Sequence, residues 1–370
     1  MKILIVEVNW LGDVLFSTPA IKALRRKFPD SHIACLILPR VREVLEGNPH
    51  INELIVNDED GLDKGFSGKM RLAGKLKRKK FDLVILFHRS FTRAMLTYLA
   101  GIPRRLGYRT FKRWLLLTGS LTMPKKDSQH RVDYYLNIVK SLGCNTQDRF
   151  YEFFVSPEDE KFVENFLSEE RVSVNDSVVC LNPGGNWGPK RWPKENFARL
   201  ADCLSSDYRA KIIFSGSEGD VALISEITAR MKHKPIIAAG RTDLKQSACI
   251  FKKTDLVISG DSAPLHIAAA VGANIIGLFG PTSPAITGPI GKGKVIIIQK
   301  PFDCQVPCYD QNCADNKCMQ EITVEDVVSE LKDFYCNKNP KSQALNSKQI
   351  LNPNSSNPKQ PGLGHWDLEH

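Results

Sequence analysis

Leu256-Val257-Ile258-Ser259-Gly260-Asp261-Ser262-Ala263-Pro264-Leu265-His266-Ile267-Ala268-Ala269-Ala270-Val271-Gly272-Ala273-Asn274-Ile275-Ile276-Gly277-Leu278-Phe279 reads as strand, helix, strand. The apolar runs at 256–259 and 275–279 are too short for helices and rich in Ile, Leu and Val. Asp261 or Ser262 can cap the helix between them. Pro264 suits its first turn, where a backbone N–H has no partner to lose. A strand that returns to another strand through a helix is a parallel βαβ unit.

The same alternation extends in both directions. Upstream it gives strands at 177–182 and 211–215 and helices at 194–204 and 221–231. The first half carries strands at 3–8, 32–38, 53–56 and 83–87. Helical stretches follow at 14–26, with Pro19 inside, and at 69–79 and 92–99. Residues 156–175 read as a polar helix and turn and mark a boundary. The expected fold class is α/β. Two Rossmann-like domains, 1–155 and 176–336, are joined by 156–175 and face each other across a cleft. Ligands are expected at the carboxyl ends of the strands. Residues 337–370 are dominated by Asn, Lys, Gln, Ser and Pro, and a disordered tail is expected there.

Composition narrows the class. The 370 residues are 42% hydrophobic and 25% charged, which excludes a mostly disordered, collagen-like or coiled-coil chain. No run of about 18 apolar residues predicts a membrane span. The first apolar run meets Glu7 too soon for a signal peptide, so a cytoplasmic protein with cysteine thiols is expected. The net charge of +10 is uneven. Residues 1–155 hold 27 Lys/Arg against 15 Asp/Glu, and residues 156–370 hold 24 against 26. The excess points to an anionic partner for the first half: nucleic acid, an anionic membrane surface or a phosphorylated substrate. Solvated helix faces account for part of it, as in Lys75-Leu76-Lys77-Arg78-Lys79-Lys80.

Chemistry is expected at the turns. Asp13 follows Gly12 where the first strand passes into the first helix. A carboxylate there can take a proton from a substrate hydroxyl, or cap the helix. No Gly-x-Gly-x-x-Gly follows the strand, so this is not a dinucleotide fingerprint. The loop after the first strand of the second half is Asn182-Pro183-Gly184-Gly185-Asn186-Trp187-Gly188-Pro189-Lys190-Arg191-Trp192-Pro193. Its glycines allow close approach of backbone N–H groups to an anion, and Lys190 and Arg191 add charge. It lacks the Gly-Lys-Ser/Thr ending of a Walker loop. The helix starting near Ser262 offers N–H groups and its dipole to an anion, with His266 one turn in. A buried, hydrogen-bonded core histidine is the alternative for His266. Gly280-Pro281-Thr282-Ser283-Pro284 forms a further turn at a strand end.

Four motifs occur in order: Asn9-Trp10-Leu11-Gly12-Asp13 with Thr18-Pro19-Ala20; Lys190-x-Trp192-Pro193; Asp261-Ser262-Ala263-Pro264-Leu265-His266; and Phe279-Gly280-Pro281-Thr282. Together, over about residues 1–335, they resemble glycosyltransferase family 9, the ADP-heptose:lipopolysaccharide heptosyltransferases. The likeness is greatest to the heptosyltransferase II type. The resemblance implies a GT-B fold, with the acceptor site in the N-terminal domain and the nucleotide-sugar site in the C-terminal one. It makes Asp13 the general base and sets Lys190 on the donor pyrophosphate. Asp261, Ser262, Ala263 and His266 then surround the phosphates and the first sugar. Gly184, Gly185, Asn186, Gly216 and Gly240 fall near the donor. Many relatives carry Thr-Gly or Ser-Gly where this chain has Ser262-Ala263. The implied partners are ADP-heptose and an anionic Kdo- and heptose-bearing lipid A acceptor, with peripheral contact to the inner membrane and no nucleic acid. His88, Arg89, Arg93, Arg104 and Arg105, with Lys112 and Arg113, are the acceptor candidates.

No cofactor is expected, and metal-independent, inverting transfer is the reading. Asp58-Glu59-Asp60 resembles a metal-binding Asp-x-Asp but reads as a solvated loop. Cys304-x₃-Cys308-x₄-Cys313-x₄-Cys318 leaves a structural zinc open beside free thiols or a disulfide. Two other functions share parts of the pattern: a GT-B nucleotide-sugar epimerase, and a non-catalytic nucleotide-sugar-binding protein.

Overall fold

The computed structural model describes residues 1–335, so the expected tail at 337–370 lies outside the described residues. Met1–Val327 form one compact unit, and a second begins at Val328. The first half runs β1 (Lys2–Val6), α1 (Leu11–Lys27), β2 (His32–Ile37), α2 (Arg42–Leu45), β3 (Glu53–Val56), α3 (Gly65–Lys79), β4 (Leu83–Leu86), α4 (Phe91–Leu99), β5 (Arg104–Tyr108), β6 (Gly119–Leu121) and α5 (Arg131–Lys140). The second half runs α6 (Pro157–Glu169), β7 (Val178–Asn182), α7 (Lys194–Asp207), β8 (Lys211–Phe214), α8 (Val221–Thr228), β9 (Ile236–Ile237) and α9 (Leu244–Lys253). It continues with β10 (Leu256–Gly260), α10 (Ala263–Ala270), β11 (Ile275–Leu278), α11 (Pro284–Thr287), β12 (Val295–Ile298), α12 (Lys317–Gln320) and α13 (Val324–Tyr335).

Each half builds a six-stranded sheet, ordered β3-β2-β1-β4-β5-β6 in the first and β12-β11-β10-β7-β8-β9 in the second. All pairings are parallel. Numbered from its own first strand, each sheet has the order 3-2-1-4-5-6 of a doubly wound fold, the second read from its opposite edge with its own strand sequence. The central strands are buried along almost their whole length, as helices on both faces require. In the first sheet the chain reverses its direction of winding between β1 and β4, and in the second between β7 and β10, so those are the switch points.

The halves meet through helices. α1 packs on α10, and α2 on α9. α6, read from sequence as part of a connection, packs on α9 beside the second sheet. His130 Nε2 lies 2.8 Å from the Gly288 carbonyl, to which Tyr151 also donates at 3.2 Å. Lys245 donates to the Glu46 carbonyl at 2.6 Å. Pro19 does not break α1. It removes the N–H that would bond Leu15 O, and the Thr18 hydroxyl donates to that carbonyl at 2.8 Å instead.

Glu7 is fully buried just past β1. Burial pushes its carboxyl up to about 8, against a backbone bond from Val8, the contact with the Ser17 hydroxyl and the nearby Arg93 charge. The hydrogen bonds suit the neutral acid. The Ser17 hydroxyl already reaches Val14 O at 2.8 Å, so the 3.0 Å contact to Glu7 Oε1 can carry the carboxyl proton. Val8 N–H donates to Oε2. A raised carboxyl favours the folded state fully below the unfolded value near 4.5, and that advantage is lost as pH rises toward 8 at about 1.4 kcal/mol per unit. Glu7→Gln, which mimics the neutral acid, is expected to leave Tm near pH 5 unchanged and raise it at pH 8. Equal Tm shifts at both pH values in thermal melts would assign Glu7 no titration in this range.

Candidate active site

The carboxyl ends of β1, β7 and β10 converge on one cavity of about 260 Å³. Asp13 and Gly12 enter from α1, Trp187 and Lys190 from the loop after β7, and Asp261, Ser262, Ala263 and His266 from the turn into α10. Arg131 stands at the start of α5, and Thr282, Ser283 and Thr287 follow β11. Asp13, Lys190, Asp261, Ser262, Ala263 and His266, all expected at the site from sequence, thus line one cavity contributed by both sheets.

Asp13 is not the helix cap. That position belongs to Trp10, and Asp13 sits on the first turn facing the cavity. Burial raises its carboxyl above the ordinary value; Arg131, His266, Lys190 and Arg89, in that order, pull it back. The result is a carboxylate more basic than a solvated aspartate, with cations near enough to favour its ionised form.

Opposite it, Asp261 is the hub of a buried polar network, with its side chain only 3% exposed. Its Oδ2 accepts from Lys190 Nζ at 2.9 Å and from Thr287 Oγ1 at 3.2 Å, and its Oδ1 lies 3.1 Å from His266 Nε2. Burial opposes the charge, but the His266 hydrogen bond and the Lys190 ammonium outweigh it and hold the carboxyl well below the usual range. Lys190 also donates to Asp261 O at 3.2 Å and lies over the Trp187 ring at 5.0 Å. Gly260 makes room for this loop, because a Cβ there would stand 2.7 Å from Lys190 O. The ammonium that the resemblance sets on the donor pyrophosphate is therefore oriented by a buried anion.

Some polar atoms are left over. Trp187 Nε1, Thr282 Oγ1 and His266 Nδ1 are buried without a protein partner, and all three residues line the cavity. Such atoms cost free energy unless something pairs with them. A polar ligand would do so. The first turn of α10, with Ser262 at its cap and no side-chain cap bond, adds backbone donors.

The other candidates fare differently. Gly184, Gly216 and Gly240 gather around the short turn Glu218–Asp220. A Cβ on Gly184 or Gly216 would strike Asp220, and one on Gly240 would strike Glu218. These three, with Gly185 and Asn186, sit at or after the ends of β7, β8 and β9 but outside the lining of the cavity. Arg191 is committed to the Gly185 carbonyl at 2.8 and 2.6 Å.

The basic set requires correction. Arg93 is buried and clamps Glu7 O, Asn9 Oδ1 and Glu59 Oε1 at 2.7, 2.8 and 3.2 Å. Arg104 and Arg105 begin β5, with Arg104 paired to Leu83 at the start of β4, so they lie at the end of the sheet away from the cavity. Arg105 is spent on Ile102, Pro103 and Leu116 carbonyls. Arg113 is buried against His88 O and Leu86 O. His88 is half-buried, and burial with Arg93, Arg113 and Arg89 around it lowers its ring to about 4, so it is neutral near pH 7. Arg89 and Lys112 remain exposed cations at the strand ends.

In the acidic loop, Asp58 accepts from Gly61 N and Leu62 N, and Glu59 pairs with Arg93. Cys304, Cys308, Cys313 and Cys318 are free, the first exposed and the last buried. Among the described residues no group of three or more His, Cys, Asp or Glu converges as a metal-ligand set, so the zinc alternative has no preformed ligand set there. Arg131 was not visible in the sequence pattern. Its only signal is that it follows His130 at the opening of a helix.

Two doubly wound sheets with one site spanning both switch points have the architecture of the GT-B class. A family model described as glycosyltransferase family 9 (heptosyltransferase) matches residues 69–319, and the chain belongs to that family. It is 28% identical to lipopolysaccharide heptosyltransferase 2 of Escherichia coli K12, over 80% of this chain and 88% of the relative. It is 30% identical to lipooligosaccharide heptosyltransferase 2 of Haemophilus ducreyi, over the same shares. The crystal structure of a family 9 glycosyltransferase from Veillonella parvula superposes with a TM-score of 0.83 at 28% identity, covering 91% of this chain and 97% of that one.

Proposed function

We propose that this glycosyltransferase moves a heptose from ADP-heptose to an anionic, Kdo-bearing lipopolysaccharide inner core, with inversion and without a metal ion, at the cytoplasmic face of the inner membrane. The observation that carries the reading is Asp13 facing the Lys190–Asp261–His266 network across one cavity. The names of the relatives support the donor and the acceptor class.

In this reading the acceptor hydroxyl gives its proton to Asp13 while its oxygen bonds to the anomeric carbon. The bond from that carbon to the β-phosphate oxygen breaks, and ADP leaves with the electron pair. Lys190 and the α10 N-terminus stabilise the charge that develops on the phosphate. Trp187 Nε1 and Thr282 Oγ1 are donors for phosphate or sugar oxygens. Arg131 helps keep Asp13 ionised. A simple binding protein would leave unexplained why a carboxylate faces the Lys190–Asp261–His266 network, and the appearance of an acceptor product separates transfer from epimerisation.

The test is an assay of the purified protein with ADP-heptose and a Kdo-bearing lipid A acceptor, read by mass spectrometry with and without EDTA. One added heptose, formed equally in both, is expected. Epimerised or hydrolysed donor without acceptor product would reject transfer to this acceptor. Activity lost in EDTA and restored by magnesium or manganese would reject the metal-free account.

A further inference from the structure

Residues 83–126 hold nine Lys/Arg and no Asp or Glu. Within them lies Arg109-Thr110-Phe111-Lys112-Arg113-Trp114-Leu115-Leu116, the connection that leaves the carboxyl end of β5. Its outward face is unusual for a soluble protein. Phe111 is 89% exposed, Leu115 69% and Trp114 52%, interleaved with exposed Arg109 and Lys112. Large apolar side chains gathered in this way mark an interaction site.

The display is built rather than incidental. Arg113, in the middle of the segment, is fully buried, and its guanidinium donates to His88 O at 2.7 Å and Leu86 O at 3.3 Å. Gly107 in β5 makes the space, because a Cβ there would collide with that guanidinium. Leu116 is buried as well. With Arg113 and Leu116 pulled inward, the segment is anchored at two points and Phe111, Trp114 and Leu115 are turned to solvent. The rim continues with Arg89 and exposed Phe91 after β4, and with Lys125 and Lys126 after β6. Arg89 lies within the electrostatic reach of Asp13, and Lys126 stacks on Tyr309 of the cavity rim at 4.1 Å. The patch is therefore continuous with the acceptor side of the site.

We propose that the anchored segment Arg109–Leu116 docks this protein on the surface of an anionic lipid bilayer, with Phe111, Trp114 and Leu115 entering the interface and Arg109 and Lys112 meeting lipid phosphates. Trp and Phe partition to the headgroup–acyl boundary, and neighbouring cations add attraction to anionic lipid. The absence of carboxylates over the whole stretch removes the repulsion that an ordinary mixed surface would supply. Docking here presents the Asp13 side of the cavity to molecules embedded in the leaflet. The purpose rests on the proposed lipid-linked acceptor, but the docking itself does not.

Flotation of the full chain with vesicles tests it, without donor or acceptor present. Binding to phosphatidylglycerol/phosphatidylethanolamine vesicles is expected, with weaker binding to phosphatidylcholine. Phe111→Ser/Trp114→Ser/Leu115→Ser should lose about tenfold or more in affinity for the anionic vesicles. Arg109→Gln/Lys112→Gln should lose about fivefold per charge on anionic vesicles and little on neutral ones. Because all five side chains are exposed, melting temperatures should match the parent; if the triple variant melts early, the charge variant decides. With a soluble deacylated acceptor the triple variant should turn over normally, and with the same acceptor anchored in vesicles it should be slower. A parent protein that does not float, or variants that float as well as it does, overturns the proposal. So does a triple variant whose only change, by light scattering, is loss of self-association. Flotation without heptose transfer would keep this proposal and reject the reaction.

Discussion

Asp13→Asn is expected to lower turnover by about 10²–10⁴-fold while leaving donor affinity within a few-fold. The amide keeps the shape of the carboxylate and its place on the first turn of α1, but it cannot accept a proton as the acceptor oxygen attacks. Donor affinity is spared because the groups proposed to hold the donor belong to the loops after β7, β10 and β11. A separate signature lies in pH. Burial raises the Asp13 carboxyl, so the acid limb of kcat/KM should fall above the ordinary aspartate range: protonated base at low pH, activity gained as the proton leaves. Arg131 is the leading charge opposing that rise. Arg131→Met should move the limb to higher pH, and Asp13→Asn should abolish it. A correctly folded Asp13→Asn enzyme with near-parental turnover would leave Asp13 with a structural role only.

The parts legible in the sequence were those where one signal dominated. Strands such as β4 and β11 are apolar runs because both faces are covered, and no helix competes at that length. The turns into α1 and α10 stand out because Gly, Asp, Ser and Pro each have a local reason to be there. β5 was hidden because it opens on Arg104-Arg105 and carries Gly107, kept small for Arg113. β6 is Gly-Ser-Leu and β9 is two residues, too short for any period. The turn residues of the second half meet in one cavity while several of the first half's arginines do not, for a related reason. Helix starts and glycine turns have fixed geometry, whereas an arginine reaches several ångströms and its partner is not written beside it. Arg93 and Arg113 look like surface cations in the chain and are buried clamps in the fold, Arg93 holding the Glu7 carbonyl just past β1 and Arg113 the Leu86 and His88 carbonyls at the end of β4. The +12 excess of the first half, 27 Lys/Arg less 15 Asp/Glu, is thus partly structural, and less of it faces a substrate than the count suggests.

The Lys190–Asp261 pair separates catalysis from stability, and a double-variant cycle should show it. Lys190→Met alone is expected to do two things. It removes a cation from the leaving phosphate, a loss of about 10²–10³ in kcat by analogy with deleting one preorganised donor. It also leaves the Asp261 carboxylate buried with only His266 and Thr287, and stranding a buried charge costs about 3–5 kcal/mol, seen as a lower Tm. Adding Asp261→Asn removes the stranded charge. The amide can still donate or accept toward His266 and Thr287, so Tm should recover much of the loss. Turnover should not recover, because neither the thioether at position 190 nor the amide at position 261 supplies positive charge to the departing ADP. The opposite pattern is informative. If the double variant regains kcat along with Tm, Lys190 serves only to neutralise Asp261. The charge on the β-phosphate would then be met by the α10 N-terminus alone. If Lys190→Met loses donor affinity and kcat in equal measure with Tm unchanged, the ion pair is incidental and Asp261 is held by His266. The expected separation, stability rescued and rate not, requires an ammonium that a buried carboxylate orients toward a phosphate it does not itself touch.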